Sequence, residues 1–204
     1  MQNEKKPVIT IMLVAVNVLV FLILSMFGRT EDSVFMLEHG AMYMPHLLEY
    51  DQYSMLFTSM FLHFGFSHLM NNMLVLFLLG SVLERELGSM KYLLLYLLSG
   101  IGGNVLSAVV EIFRGEFYVS AGASGAIFGV IGALLLIMIR NKGHLRTLSS
   151  RGLVFMVICS LYHGFTSTGV DNMAHIGGLV TGFILAALIY RKRHIESGPY
   201  IYVR

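Results

Sequence analysis

Ser120-Ala121-Gly122-Ala123-Ser124-Gly125-Ala126-Ile127-Phe128-Gly129 sets one serine between glycines at the head of an apolar run that continues to residue 139. A second stretch, Ala174-His175-Ile176-Gly177-Gly178-Leu179-Val180-Thr181-Gly182, opens another apolar run and carries a histidine where the first carries its hydroxyl. Gly125, Gly129 and Ala133 recur at intervals of four, as do Ala174, Gly178, Gly182 and Ala186. On helices these are ridges of small residues that let two backbones approach closely. Ser124 and His175 each stand one position from the outer end of a ridge. The spacing therefore predicts that hydroxyl and imidazole come within hydrogen-bond reach. The plain alternatives are that the serine is only a small packing residue and that the histidine bridges helices.

Composition says where these helices lie. The chain has 204 residues, is 56% hydrophobic and 13% charged, and has a mean hydropathy of +0.73, whereas soluble domains carry about 25% charged residues. It reads as a membrane protein whose partner is the lipid bilayer. A net charge of +2 with scattered basic residues excludes nucleic acid as a ligand class. Cys159 is the one cysteine, so no intramolecular disulfide forms.

Six apolar segments are expected, at about 8–27, 69–83, 92–113, 123–139, 152–169 and 174–190, in a single domain over 1–204 with short tails at about 1–7 and 191–204. The first exceeds a usual signal core and lacks a small-x-small cleavage pattern, so it reads as an uncleaved membrane helix. Segments of 15 to 17 residues barely cross about 30 Å of hydrocarbon at 1.5 Å per residue, so helices two, four and six begin below the surface. The fifth is the weakest, holding His163 and a polar end at Thr166-Ser167-Thr168-Gly169. With both termini cytoplasmic, twelve lysines and arginines fall on the inner side and only Arg29 and Arg114 outside, as the positive-inside rule requires. This orientation brings the heads of helices four and six to similar outer depth. The first outer loop, roughly 28–67, turns very apolar from Met55 to Phe66 and is expected to pack on the bundle and dip into the interface.

A serine needs a base to take its proton, and a neutral histidine does this near pH 7. Acyl transfer also needs donors for the developing oxyanion. His68 and Asn72, four apart, share a face at the outer end of helix two, while Asn71 points roughly 100° away; the backbone N–H of Ser124 is a further donor. Asn72 reads equally as interhelical glue. His63 reads as a loop staple. His63 and His68 are five apart and do not fit the two-histidine zinc spacing, so no metal is expected. Asp171, four before His175, reads as a solvated loop carboxylate rather than the acid of a triad. A serine-histidine dyad is the expectation.

With these residues in view, the chain resembles the rhomboid intramembrane serine proteases over nearly its whole length. His63-x4-His68-x3-Asn72 is similar to that family's helix-two motif, Gly122-Ala123-Ser124-Gly125 to its G-x-S-G nucleophile motif, and Ala174-His175-x2-Gly178-x3-Gly182 to its base-bearing helix. The resemblance implies an all-α membrane protein, a rhomboid-like bundle of six transmembrane helices with a long first outer loop partly embedded in the interface. It implies Ser124 as nucleophile and His175 as general base, with His68 and Asn72 at the oxyanion, Gly122 as the close-approach residue and His63 as accessory. It implies membrane-protein substrates with helix-destabilised transmembrane segments, no cofactor, and helix five with loop 166–173 as gate and cap. A multi-pass protein of the plasma membrane is expected. Two departures stand out: Tyr53-Ser54 replaces a frequent Trp-Arg pair, and Phe128 replaces a tyrosine, keeping a ring to pack on His175 without its hydroxyl. The competing functions are a non-cleaving member of the same fold that binds helices and a small transporter with His68, Asn72 and His175 as a polar relay.

Overall fold

Val8–Phe27 forms helix α1 because twenty residues run without a charge or a helix breaker, and only one stripe of it is buried. Thr10, Leu13, Asn17, Phe21 and Leu24 face the bundle, at the three- and four-residue steps of one helical face. Met12, Val16, Leu19 and Leu22 are exposed, which in a bilayer means facing lipid. The computed structural model describes residues 6–141, 144–145, 148–166 and 169–191.

The long first loop is folded rather than irregular. It carries α2 (Ser33–Glu38), α3 (Met44–Tyr50) and α4 (Met55–Thr58), followed by a 3-10 turn at Ser59–Phe61. Asp32 starts α2 by accepting the Val34 and Phe35 N–H groups at 2.8 and 3.0 Å. Met42, Met44, Leu47 and Met55 make a small core with Ala108. Asn104 ties this loop to the bundle, its Nδ2 donating to Leu56 O at 2.8 Å and Ser59 Oγ at 2.9 Å. Tyr53 stands exposed, so here the anchor is Asn104 rather than a residue pair at 53–54.

The second span is α5 (Gly65–Val75), a π turn at Leu76–Gly80 and α6 (Ser81–Leu87), continuous over Gly65–Leu87. It outruns the expected 69–83 by a turn at each end, because the polar residues flanking the apolar run remain helical. The third span is α7 (Ser89–Arg114). Next come α8 (Ser124–Arg140), a two-residue antiparallel pair β1–β2 (His144–Leu145, Leu148–Ser149), α9 (Ser150–Thr166) and α10 (Asn172–Ile189). Among the described residues four spans are long and apolar enough to cross a membrane, and Ser124–Arg140 and Ser150–Tyr162 are shorter apolar helices. The protein is thus a predominantly helical, multi-pass membrane bundle.

Helix α8 sits at the centre. Gly125 through Leu134 and Leu136 through Met138 are all buried, and a helix apolar all round belongs inside a bundle. Its partners are α7 and α10. A side chain at Gly178 would collide with the Gly125 carbonyl, and one at Gly182 with the Gly129 carbonyl. The two ridges expected from sequence therefore meet backbone to backbone. By contrast, Leu153 is the one fully buried side chain among the described residues of α9, so this helix is thinly held.

One buried acid holds the other end of the bundle. Glu84, 3% exposed, accepts the Ile9 and Thr10 N–H groups at 3.0 and 2.8 Å, the Thr10 hydroxyl at 2.8 Å and the Ser89 hydroxyl at 2.7 Å. Pro7 gives α1 no side-chain cap, so a residue 74 positions away satisfies the helix's first donors. Glu84→Ala leaves those donors unpaired in a dry site. We expect a loss of about 2–4 kcal/mol in unfolding free energy, read as a lower denaturation midpoint in detergent, with Glu84→Gln falling between.

Candidate active site

Gly122 has φ +141, a conformation that an L side chain rarely adopts. It turns the chain from the segment after α7 into α8 and places Ser124 as the first helical residue. The approach is pinned on both sides: Met42 and Ser120 pair as an isolated β-bridge, and Gly122 N–H donates to Ser59 O at 2.9 Å. A Cβ at Gly122 would lie 2.9 Å from His68 Cε1, 3.0 Å from its Nε2 and 3.7 Å from Ser124 Oγ. The His68 ring, the Gly122 backbone and the serine hydroxyl therefore converge on one small volume. Gly122→Ala is expected to push His68 away and to strain the turn into α8, read as a lower melting midpoint in detergent.

Across the volume stands His175, 8% exposed on the first turn of α10. Phe128, one turn into α8 from Ser124, stacks on the imidazole with centroids 4.3 Å apart and planes at 7°. The ring at 128 thus fixes the plane of His175 without a hydroxyl. No hydrogen bond joins Ser124 Oγ to His175, and His175 Nδ1 is buried without a partner. Catalytic hydrogen bonds are often loose in a substrate-free site and tighten on binding.

His63 is 1% exposed and accepts the Ala123 N–H at Nε2, 3.4 Å away. Burial pushes its pKa down to about 3, so it stays neutral and keeps a lone pair for that contact. Its ring meets His68 edge-on with centroids 5.2 Å apart. His63 therefore touches the backbone beside the serine rather than the serine itself. Asn72 donates to His68 O at 3.0 Å, leaving its second amide hydrogen for the site. Both Asn71 and Asn72 line the cavity, so the 100° between them does not separate them as expected.

The cavity measures about 770 Å³ and gathers Ser124, His175, His68, Asn72, Gly122 and Phe128. Its far wall includes Met156, Cys159 and Ser160 of α9, which sequence reasoning left out because that helix shows no small-residue ridge. Asp171 also lines the cavity. Its partner is Ser107 of α7, at 2.6 Å, so this half-buried loop carboxylate is tied to the bundle. Residues 167–168 of the expected cap lie outside the described residues. Among the described residues no three His, Cys, Asp or Glu side chains gather as a metal ion would require.

A model of the rhomboid domain matches residues 50–192. The chain is 38% identical over 185 residues to Rhomboid protease GluP of Bacillus subtilis (strain 168), covering 90% of this chain and 35% of that protein. It is 39% identical over 147 residues to RHOMBOID-like protein 5 of Arabidopsis thaliana, with 71% and 47% covered. RHOMBOID-like protein 4 of the same plant is 38% identical over 159 residues, with 76% and 39% covered. The chain spans between a third and a half of the length of these relatives.

Proposed function

Because the chain belongs to the rhomboid family, we propose that it is an intramembrane serine endopeptidase that hydrolyses peptide bonds in or next to transmembrane segments. Ser124 is the nucleophile and His175 the general base. The observation that carries this reading is that Ser124 and the Phe128-stacked His175 open into one cavity.

His175 takes the Ser124 proton as Oγ attacks the scissile carbonyl. The oxygen that becomes negative is met by the Ser124 N–H, the His68 ring and the free Asn72 amide hydrogen. The amine leaves with the proton held by His175, and water, activated by the same imidazole, releases the acyl group. A peptide bond inside a transmembrane helix is shielded, since unpairing its backbone in lipid costs several kcal/mol per group. Substrates are therefore membrane proteins with a helix-destabilised segment carrying small residues. They enter from the side, and the thin packing of α9 supports that helix as the gate. The excess of basic residues on one side supports cytoplasmic termini in a cell membrane. No cofactor enters this chemistry.

The test is to reconstitute the protein in liposomes with a single-pass substrate holding a glycine- and alanine-rich outer segment, and to map the products by mass spectrometry. A cut within or beside that segment, unchanged by chelators, is expected. An intact substrate, or cuts only in exposed soluble loops, would overturn the reading.

A further inference from the structure

A single carboxylate holds the outer end of α10. Asp171 Oδ1 accepts the Ala174 N–H at 2.9 Å, Oδ2 accepts the Ser107 hydroxyl at 2.6 Å, and the Asp171 carbonyl accepts the His175 N–H at 3.2 Å. Ser107 is 4% exposed in α7, so the chain of bonds runs from the bundle interior through Asp171 to the backbone of His175. Both carboxylate oxygens are thus engaged elsewhere, and His175 Nδ1 is left without a partner. Asp171 is not the acid of a triad.

It is nevertheless suited to the same need. A base that becomes a cation stands here in the first turn of a helix, where the positive end of the helix dipole opposes that charge. His175 is 8% exposed, so an imidazolium with an unpaired Nδ1–H has little solvent to stabilise it. Asp171 stands four residues before His175, at the cap of the same helix. Two further acids stand toward this end: Glu111, one turn beyond Ser107 on α7, and Glu31, which lines the cavity. His68, the facing group of α5, carries no negative charge.

We infer that Asp171 is a positioning residue for the proposed proteolysis: bonded to Ser107 and capping α10, it fixes His175, and its negative charge stabilises the imidazolium formed when His175 takes the Ser124 proton. This rests on the serine protease reading. The capping role and the charge role separate in Asp171→Asn. An asparagine accepts from Ala174 N–H through Oδ1 and donates to the Ser107 hydroxyl through Nδ2, so the bonds persist while the charge goes.

The experiment measures kcat, KM and the melting midpoint for the unaltered protein, Asp171→Asn, Asp171→Ala and Glu111→Gln with the reconstituted substrate. Asp171→Asn is expected to lower kcat by about tenfold at unchanged KM and midpoint, Asp171→Ala to lower the midpoint as well, and Glu111→Gln to leave kcat within about twofold. Full kcat in Asp171→Asn, or an equal loss in Glu111→Gln, overturns the charge role while the protease reading stands. Absence of any Ser124-dependent cleavage in the unaltered protein removes the protease reading and this inference together.

Discussion

Ser124→Ala is expected to reduce substrate cleavage by at least about a thousandfold, and His175→Ala to do the same. Removing the nucleophile of a serine-histidine pair leaves only binding and oxyanion stabilisation, which act on a reaction that no longer has an attacking group. The two residues act as a unit, so the double variant is expected to be no slower than either single one. Labelling by a fluorophosphonate, which reports the activated hydroxyl without any substrate, is expected to vanish in both. Stability separates the two. Ser124 is half-buried at the cavity edge, and its change leaves the helix contacts in place, so the melting midpoint stays. His175→Ala also loses the stacked contact with Phe128, worth about 1 kcal/mol. Cleavage that survives Ser124→Ala would move the chemistry to another residue.

The parts of this arrangement that follow a helical period were legible from the sequence. Gly125 and Gly129 on one helix and Gly178 and Gly182 on another advertise a close crossing, and that crossing brings Ser124 and His175 into one cavity. The stack of Phe128 on His175 follows from a ring one turn beyond the serine. What stayed hidden are bonds between residues far apart in the chain, for which no spacing exists. Glu84 reads as a charge at the end of an apolar run, yet it caps a helix 74 residues earlier. Asp171 reads as loop, yet Ser107 holds it from 64 residues away. Asn104 signalled more, being an amide within an apolar span, where polar side chains seldom lack a purpose. The start of α5 was misplaced for a related reason. His68, Asn71 and Asn72 lower the local hydropathy, but they line the cavity, and helix and hydrophobic run need not coincide.

Gly178→Ala is the change expected to injure the fold most. Its added carbon would lie in the Gly125 carbonyl, 2.8 Å from the carbonyl carbon and 3.2 Å from the Gly125 Cα. These are backbone atoms, which cannot turn aside as the tip of a flexible side chain can. The helices must part, and with them the contacts of Gly182 on Gly129 further along. Overpacking of this kind costs about 3–5 kcal/mol when the neighbour is rigid, a large share of the stability of a small bundle. The fitting control is Gly152→Ala on α9, where a Cβ meets Ser149 Cβ at an ordinary 3.7 Å; that variant is expected to keep or slightly raise the midpoint. Thermal unfolding in detergent reads both. Gly178→Ala differs from Ser124→Ala in kind: activity and midpoint fall together, since separating α8 from α10 carries the imidazole away from the hydroxyl. A Gly178→Ala protein with an unchanged midpoint would mean that the two helices do not cross at this distance, and the shared cavity of Ser124 and His175 would lose its structural cause.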